Sequence, residues 1–281
     1  MLQTKGRLSG KVALVTGASR GAGRAIAVEL GKAGATVYVT GRSTAGHTTK
    51  GWPGTIEETA EEVSRAGGKG IAIRCDHTDD RAVETLVQTI DEEQGKLDIL
   101  VNNVWGGNEL SIEAKPFWEL SLQHWNHMFT AGVRAQLVTN FFAIPLMRRK
   151  KNGIIFHTTF WDDDKYTGHF YYDLAKNALK RMAFGLSRDL IRDRIAVVAI
   201  TPGFMRTEIV LQTFGTDESR WQERDELRHS ESPHYIGRAI VHLAAEENVM
   251  EKSGQVLRVA DLAREYRFTD LDGRYIPPFR L

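Results

Sequence analysis

The chain has 281 residues, a length that suits one α/β domain or two small ones. Lys and Arg number 37 and Asp and Glu 36, so the formal charge of +1 argues against nucleic acid or an anionic membrane as a partner. The lone Cys75 excludes an internal disulfide, and neither a signal-peptide core nor an apolar run of ~18 residues is present, so we expect a cytoplasmic protein.

Short apolar runs alternate with longer amphipathic stretches along the chain. The runs predict strands at 12–16, 35–40, 70–75, 97–102, 153–159, 195–201 and 254–260. The amphipathic stretches predict helices at 23–33, 55–66, 81–94, 125–150, 171–192 and 234–245. This alternation is typical of an α/β fold with a Rossmann-like, doubly wound, seven-stranded parallel sheet flanked by helices. We expect a single domain over 1–281, with a C-terminal tail at 261–281.

A glycine-rich turn, TGASRGAG, joins the first predicted strand to the first helix. Gly17 allows a tight turn, Gly21 lets a ligand approach the backbone, and Gly23 lets the helix pack closely on the strand. The free N–H groups at the start of a helix favour an anion there. Three glycines also occur in ordinary turns, but this position favours a dinucleotide site with Gly17, Ser19, Gly21, Ala22 and Gly23 as cofactor contacts.

Two arginines accompany this turn. NAD sites place an acidic side chain at the end of the second strand to hold the ribose 2′-OH, but here that strand ends in Thr40, Gly41, Arg42 and Ser43. Arg20 and Arg42 would instead hold a 2′-phosphate beside Ser43, because a forked guanidinium suits phosphate. The alternative is two solvated surface arginines. The missing acid favours NADP(H) as the cofactor.

Tyr172 and Lys176 are four residues apart on a predicted helix and therefore share one face. A tyrosine with its ordinary pKa of ~10 is a poor acid/base catalyst at neutral pH, but an ammonium one turn away favours the phenolate. The Y-x-x-x-K spacing is also common in surface pairs. Here it follows a strand that ends in Thr158 and Thr159, and this context predicts a catalytic pair.

Several motifs in chain order resemble those of the short-chain dehydrogenase/reductase family. They are TGASRGAG, Asp76 after the third strand, NNVW at 102–105, Tyr172 with Lys176, and the pair Pro202–Gly203. The resemblance covers nearly the whole chain. It implies an oxidoreductase in which a substrate carbonyl accepts a hydride from the nicotinamide and a proton from Tyr172.

The same resemblance implies the cofactor contacts. Asp76 would hold the adenine amino group, Asn103 would lie by the adenosine ribose, Lys176 would bond the nicotinamide ribose, and Thr207 would touch the carboxamide. The other implied contacts are His77, Pro202 and Gly203.

The chain departs from the family pattern at the proposed catalytic residues. Thr159 stands thirteen residues before Tyr172, where the family usually has serine, and Thr158 takes that place if the register shifts by one. The hydroxyl is retained, so Thr159 can still polarise a carbonyl oxygen.

A second departure concerns the proton relay. Gly132 stands seven residues after Trp125, where the family usually has an asparagine that holds a water. Trp105, in NNVWGG, is bulkier than the residue usual in the family at that place. We expect a water, Trp105 or an aromatic of 160–170 to fill the space beside Gly132. On that basis Gly132→Asn should lower activity or stability.

Aromatic residues near the catalytic pair are candidate walls of a substrate pocket: Trp105, Phe160, Trp161, Phe170 and Phe204. Ordinary core packing is the alternative for each. The acidic run 162–164 could attract a cationic substrate, but a solvated turn is the commoner use of such a run. His124 and His127 have metal-like spacing but no third ligand, so no metal is expected.

Gly132 and the sequence of the C-terminal tail resemble, more narrowly, the dehydrogenase/reductase member 1 group, which includes carbonyl reductases. In the family, the helix at 125–150 and the Tyr172 helix build the interface of a homodimer or homotetramer. Two functions remain open: an NADP(H)-dependent enzyme acting on a small carbonyl or alcohol, and a cofactor-binding protein that has lost turnover and acts as a sensor or scaffold. Gly132 favours the second; Thr159, Tyr172 and Lys176 favour the first.

Overall fold

A computed structural model describes residues 6–110, 113, 115–161, 163 and 165–280. Over these residues the strands form one parallel sheet in the order β3-β2-β1-β4-β5-β6-β7. They are Val12–Val15 (β1), Thr36–Gly41 (β2), Lys69–Arg74 (β3), Ile99–Asn102 (β4), Gly153–Thr158 (β5), Ile195–Thr201 (β6) and Val256–Arg258 (β7). The strand order reverses between β1 and β4, which opens a crevice at the carboxyl ends of the strands. The predicted doubly wound, seven-stranded sheet is therefore confirmed.

Helices cover both faces of the sheet. They are Gly21–Lys32 (α1), Ile56–Arg65 (α2), Asp80–Gln94 (α3), Ala135–Arg148 (α4), Phe170–Asp189 (α5), Glu208–Thr213 (α6), Pro233–Ala244 (α7) and Val259–Tyr266 (α8). Along β1, Ala13 and Val15 join a core with α1 and α7, whereas Val12 and Leu14 join a second core with α3 and α4. Burial on both faces explains why the strands are apolar at nearly every position.

Local chemistry sets several helix ends. Thr55 and Glu58 form a reciprocal capping box at the start of α2, which satisfies two backbone donors. The Asp79 side chain caps α3, and Gly95 ends that helix in the left-handed conformation with φ of 65°. None of the helices in the described part of the chain has the length and apolar character needed to cross a membrane.

Two predicted segments differ from the structure in their internal detail. The stretch predicted as one helix at 125–150 consists of a π-helix, Trp125–Arg134, followed by α4, and Pro145 lies inside α4. The segment at 261–281 is not all tail, because α8 spans Val259–Tyr266. Val259, Leu262 and Ala263 are buried at helical spacing, which is the signal that the sequence prediction missed.

Candidate functional site

A cavity of about 540 Å³ lies at the carboxyl ends of the strands. Every residue predicted to touch cofactor or substrate lines it, except Gly23, Trp161 and Phe170. The lining extends from the glycine turn after β1, past the ends of β2 and β3, to Tyr172 and the Pro202–Gly203 turn after β6. Its volume is in the usual range for small-molecule and cofactor sites.

The glycine turn has the backbone geometry of a phosphate cradle. Gly17 and Gly21 have φ of +63° and +54°, a region that other residues rarely adopt. Gly23 does not line the cavity; a Cβ there would lie 2.2 Å from the Gly17 carbonyl and 2.6 Å from Asn103 Nδ2. The assignment of Gly23 as a cofactor contact is thus corrected: its absent side chain lets α1 pack on the strand ends.

A carboxylate that the sequence analysis did not single out lies at the start of α1. Glu208 Oε2 accepts a hydrogen bond from the Gly21 N–H at 2.9 Å, and no side chain caps this helix otherwise. Thr207, just before it, caps α6 by accepting from the Val210 N–H at 3.4 Å. The amide expected to face a pyrophosphate is therefore already paired with an anion.

Arg20 and Arg42 both line the cavity, and both guanidinium groups have partners. Arg20 donates to the carbonyls of 52–54 and to Ser43 Oγ, which fixes the long loop after β2. Arg42 pairs with Glu109, whose oxygen lies 2.5 Å from Nη2. The expected absence of an acid holds for 40–43, but the turn after β4 supplies Glu109 instead. Only tertiary structure shows this contact, since the two residues are 67 positions apart.

Asp76 and Asn103 are held by neighbouring groups. Asp76 Oδ1 accepts from the Thr78 N–H at 3.0 Å and hydroxyl at 2.7 Å. Asn103 Nδ2 donates to the carbonyls of Thr16 and Gly17, which joins β4 to the glycine turn. Asp76 and Asn103 both line the cavity.

His77 was predicted as a cofactor contact, but its imidazole is not available for one. Its two ring nitrogens are 2.9 Å from the Thr40 hydroxyl and 3.1 Å from the Thr139 hydroxyl. Burial lowers the pKa of His77 to about 4, so the ring is neutral at physiological pH. The His77 side chain instead joins β2, through Thr40, to α4, through Thr139.

Tyr172 and Lys176 lie on successive turns of α5 and face the cavity. Burial raises the pKa of the Tyr172 phenol and lowers the pKa of Lys176 to about 7. The Thr159 hydroxyl donates to the Lys176 carbonyl at 2.7 Å, and the Thr158 hydroxyl donates to the Asn102 carbonyl at 3.3 Å. Thr159 thus lies beside the pair as predicted, but its proton is engaged with the backbone.

Trp105 fills the space beside Gly132. A Cβ on Gly132 would lie 2.8 Å from two carbons of the Trp105 ring, closer than real Cβ atoms approach. Of the three occupants expected at this place, the structure has Trp105.

Aromatic side chains form the opposite wall of the cavity. Phe160 and Phe204 line it as predicted, together with Phe279, which the sequence analysis missed. Trp161 does not line it and packs beside Arg258 instead, with the guanidinium carbon 4.4 Å from the ring centroid. Of the acidic run, Asp162 and Asp164 lie outside the described residues. Asp163 forms ion pairs with Arg258 and Arg280, so it is a structural anchor in this conformation.

The residues present fit a nicotinamide dinucleotide. The cavity continues from a glycine-lined helix N-terminus to the Tyr172–Lys176 pair, as a long two-ended ligand requires. Among the described residues, no three His, Cys, Asp or Glu side chains come together as a metal site.

Comparison with known proteins agrees with this geometry. Residues 11–218 match the family model described as short chain dehydrogenase. The chain is 32% identical over 280 residues to dehydrogenase/reductase SDR family member 1 of Mus musculus and of Homo sapiens, covering 97% of this chain and 87% of each relative. A crystal structure of a short chain dehydrogenase from Mycobacterium thermoresistibile is 27% identical with a TM-score of 0.82, covering 96% of this chain and 92% of that one. Both family resemblances seen in the sequence are confirmed, and the chain belongs to the short-chain dehydrogenase/reductase family of oxidoreductases, which bind a nicotinamide cofactor.

Proposed function

We propose that the chain is an NADP(H)-dependent oxidoreductase that interconverts a carbonyl and an alcohol, with Tyr172 as the acid/base. One observation carries the proposal: Tyr172, Lys176 and the Thr158–Thr159 hydroxyls share a cavity with the glycine turn at the start of α1. A substrate held between them would have a proton donor on one side and the cofactor site on the other. The aromatic walls favour an apolar or aromatic ketone or aldehyde.

The chain's own residues account for the movement of the proton. When bound, the nicotinamide supplies or accepts the hydride. Burial keeps the Tyr172 phenol protonated, so in the reductive direction it can donate its proton to a carbonyl oxygen. In the oxidative direction Tyr172 must accept a proton, and the Lys176 ammonium stabilises the phenolate then required. The Thr159 oxygen can accept a hydrogen bond from the reacting hydroxyl group, while its own hydroxyl proton remains hydrogen-bonded to the Lys176 carbonyl.

Arg20, Arg42 and Ser43 support the choice of NADP(H). They lie together at the end of the cavity next to α1, where the 2′-phosphate of the cofactor would bind. Arg42 would exchange Glu109 for that phosphate, which carries more negative charge than the carboxylate. Among the described residues, no carboxylate from 40–43 competes for the ribose hydroxyl.

The activity is tested by an NADPH-oxidation screen over ketones, quinones and aldehydes. We expect turnover with at least one apolar carbonyl, and we expect Tyr172→Phe to abolish it while NADPH still binds, because the phenol is the proton donor. The matched control is Tyr166→Phe, since Tyr166 is exposed and lies outside the cavity. Near-normal turnover by Tyr172→Phe on a good substrate would show that the mechanism is wrong.

The cofactor preference is tested by calorimetric titration of the unliganded protein with NADPH and with NADH. A charge-assisted arginine–phosphate contact predicts at least about tenfold tighter binding of NADPH, or about 1.4 kcal/mol. Arg42→Gln should remove most of that difference and leave NADH binding nearly unchanged. Equal affinities for the two cofactors in the unmodified protein would contradict the proposal.

A cofactor-binding protein without turnover is the second candidate. Gly132 in place of the relay asparagine and the engaged Thr159 hydroxyl favour it. It predicts that NADPH binds tightly while the whole screen gives no oxidation above background. For either function we propose a homodimer formed through α4 and α5.

A further inference from the structure

The indole of Trp105 lies directly against both members of the catalytic pair. The Lys176 Nζ is 3.8 Å from the centroid of the indole ring system, inside the distance at which an ammonium is attracted to an aromatic face. The Tyr172 ring meets the same indole edge-on, with centroids 5.7 Å apart and planes at 89°. One side chain therefore contacts the cation and the phenol together.

Two glycines leave the space that the indole occupies. A Cβ on Gly132, in the π-helix, would lie 2.8 Å from two ring carbons on one side of the indole. A Cβ on Gly107, in the turn after β4, would lie 2.5–2.6 Å from three ring atoms. Neither position tolerates a side chain while the indole stays where it is. Glycine at 132 destabilises the helix relative to alanine. The space that it leaves for the indole explains its presence there.

Within the part of the chain that the structure describes, Lys176 has no carboxylate partner to hold its charge. Among the described residues, no Asp or Glu of α5, of the π-helix, or of the turns after β4, β5 and β6 lies within 4 Å of Nζ. The Lys176 ammonium faces the rings of Trp105 and Tyr172, and of these two side chains Tyr172 is titratable. Burial alone lowers the pKa of Lys176 to about 7, so an unassisted ammonium would be partly lost at neutral pH.

We propose that Trp105 is a positioning residue that holds the Lys176 ammonium on its indole face beside Tyr172, in the space that Gly132 leaves open. The catalytic part of this inference rests on the proposed function. The contact itself does not, because it involves only the chain's own residues. Loss of the aromatic face should make the charged form of Lys176 less stable and so lower its pKa.

The contact is tested first without substrate or cofactor. Tryptophan emission of the unliganded protein is titrated with pH in wild type, Trp105→Leu and Lys176→Met. We expect a wild-type transition well below the ordinary lysine value of ~10.4, absent from both variants because each removes one partner. Trp118→Leu is the matched control, since Trp118 is exposed and does not line the cavity that holds the pair. This variant should keep the transition. A transition that persists in Trp105→Leu, or is missing from wild type, overturns the proposal.

The second measurement is the pH profile of kcat/KM for a reducible ketone. Activity should fall as pH rises and Lys176 loses its proton. In Trp105→Leu the pH at which kcat/KM falls should be lower by about one unit, which converts to about 1.4 kcal/mol. Trp105→Phe keeps a smaller aromatic face, so its shift should be smaller, and it serves if the leucine variant does not fold. A merely structural Trp105 would change the thermal midpoint and leave the pH profile in place, which also overturns the proposal.

Gly132→Ala provides an independent route to the same result. The added Cβ displaces the indole, so the pH at which kcat/KM falls should drop by the same amount as in Trp105→Leu. The double variant should show no larger drop than either single variant. Additive shifts would overturn the proposal. If the unliganded titration behaves as expected but no carbonyl is reduced, the contact stands and the reductase function falls. If turnover depends on Tyr172 but the titration fails, the reductase function stands and the role of Trp105 falls.

Discussion

The Glu208 carboxylate lies at the helix N-terminus where the cofactor is proposed to bind. It occupies the Gly21 N–H, the amide at the start of α1 that an incoming pyrophosphate would use. A carboxylate and a pyrophosphate cannot share this amide, and their like charges repel each other. With the cofactor placed as proposed, binding requires that the Glu208 side chain, carried by α6, leave this amide.

We expect Glu208→Gln to bind NADPH up to about tenfold more tightly. The reason is electrostatic, because a charge at a helix N-terminus contributes roughly 0.3–2 kcal/mol and the amide variant competes without it. Titration of NADPH against the intrinsic fluorescence of the protein measures the change. Glu226→Gln is the control, since Glu226 is exposed and outside the cavity. Unchanged or weaker binding by Glu208→Gln would show that the contact with Gly21 does not compete with the cofactor.

At this scale the sequence predicts residue types better than it predicts their partners. The glycines, Tyr172 and Lys176 follow from motif spacing, because the function dictates both residue type and position. Glu109 and Glu208 do not follow, since each meets its partner across a long sequence separation. His77 shows the same limit: its position after β3 is as expected, but its ring is bonded to Thr40 and Thr139.

Among the elements, the segment after α8 completes the wall of the cavity. The Ile276 N–H donates to the Tyr235 hydroxyl at 3.3 Å, and the Phe279 ring lies 5.8 Å from Phe160. Arg280 pairs with Asp163 in the loop before α5. These contacts tie the end of the chain to the loop that precedes the catalytic helix, so the segment forms part of the pocket.

We expect Phe279→Ala to raise KM for bulky aromatic ketones about five- to tenfold, because the lost ring removes apolar contact worth about 1–1.4 kcal/mol. The affinity for small aliphatic ketones should change little, since they do not reach this wall. Steady-state kinetics with a matched pair of ketones measures the ratio. Tyr275→Ala, at an exposed position outside the cavity, controls for general disturbance of the segment. Equal KM changes for both ketones would mean that Phe279 does not contact substrate.

Element type was predictable wherever periodicity was strong. The apolar runs identified the strands because burial on both faces leaves a near-continuous signal. The π-helix at Trp125–Arg134 was not predictable, since its apolar pattern also fits an α-helix. The helix α8 was missed because its short apolar stripe directly follows β7 without a turn signal between them.

At the scale of the whole molecule, the topology explains why one cavity gathers residues from all parts of the chain. Parallel strands place all their carboxyl ends at one edge, and the reversal between β1 and β4 opens the crevice there. This arrangement could be predicted from the sequence, because strand–helix alternation requires parallel crossovers of one hand. The outer faces of α4 and α5 do not line this cavity.

Large apolar side chains are exposed on these two helices. Leu137 and Phe141, one turn apart on α4, are 51% and 70% exposed, and Leu174 on α5 is 43% exposed. A second copy of the chain could cover this surface with the same residues through a two-fold axis. Such a dimer would also pack on the face of α5 that points away from the cavity. Leu174 lies on that face, whereas Tyr172 and Lys176 line the cavity.

We expect Phe141→Glu to convert a dimer into a monomer. A two-fold interface contains the substitution twice, and each copy places an unpaired carboxylate in an apolar contact, which is costly to bury. Sedimentation equilibrium measures the mass of wild type and variant at the same concentration. Leu271→Glu is the control, since Leu271 is also exposed but lies in the C-terminal segment, and it should leave the mass unchanged. If wild type is a dimer and Phe141→Glu stays one, the copies meet elsewhere. If the variant is a monomer with unchanged kcat, α5 holds Tyr172 and Lys176 in place without help from a second copy.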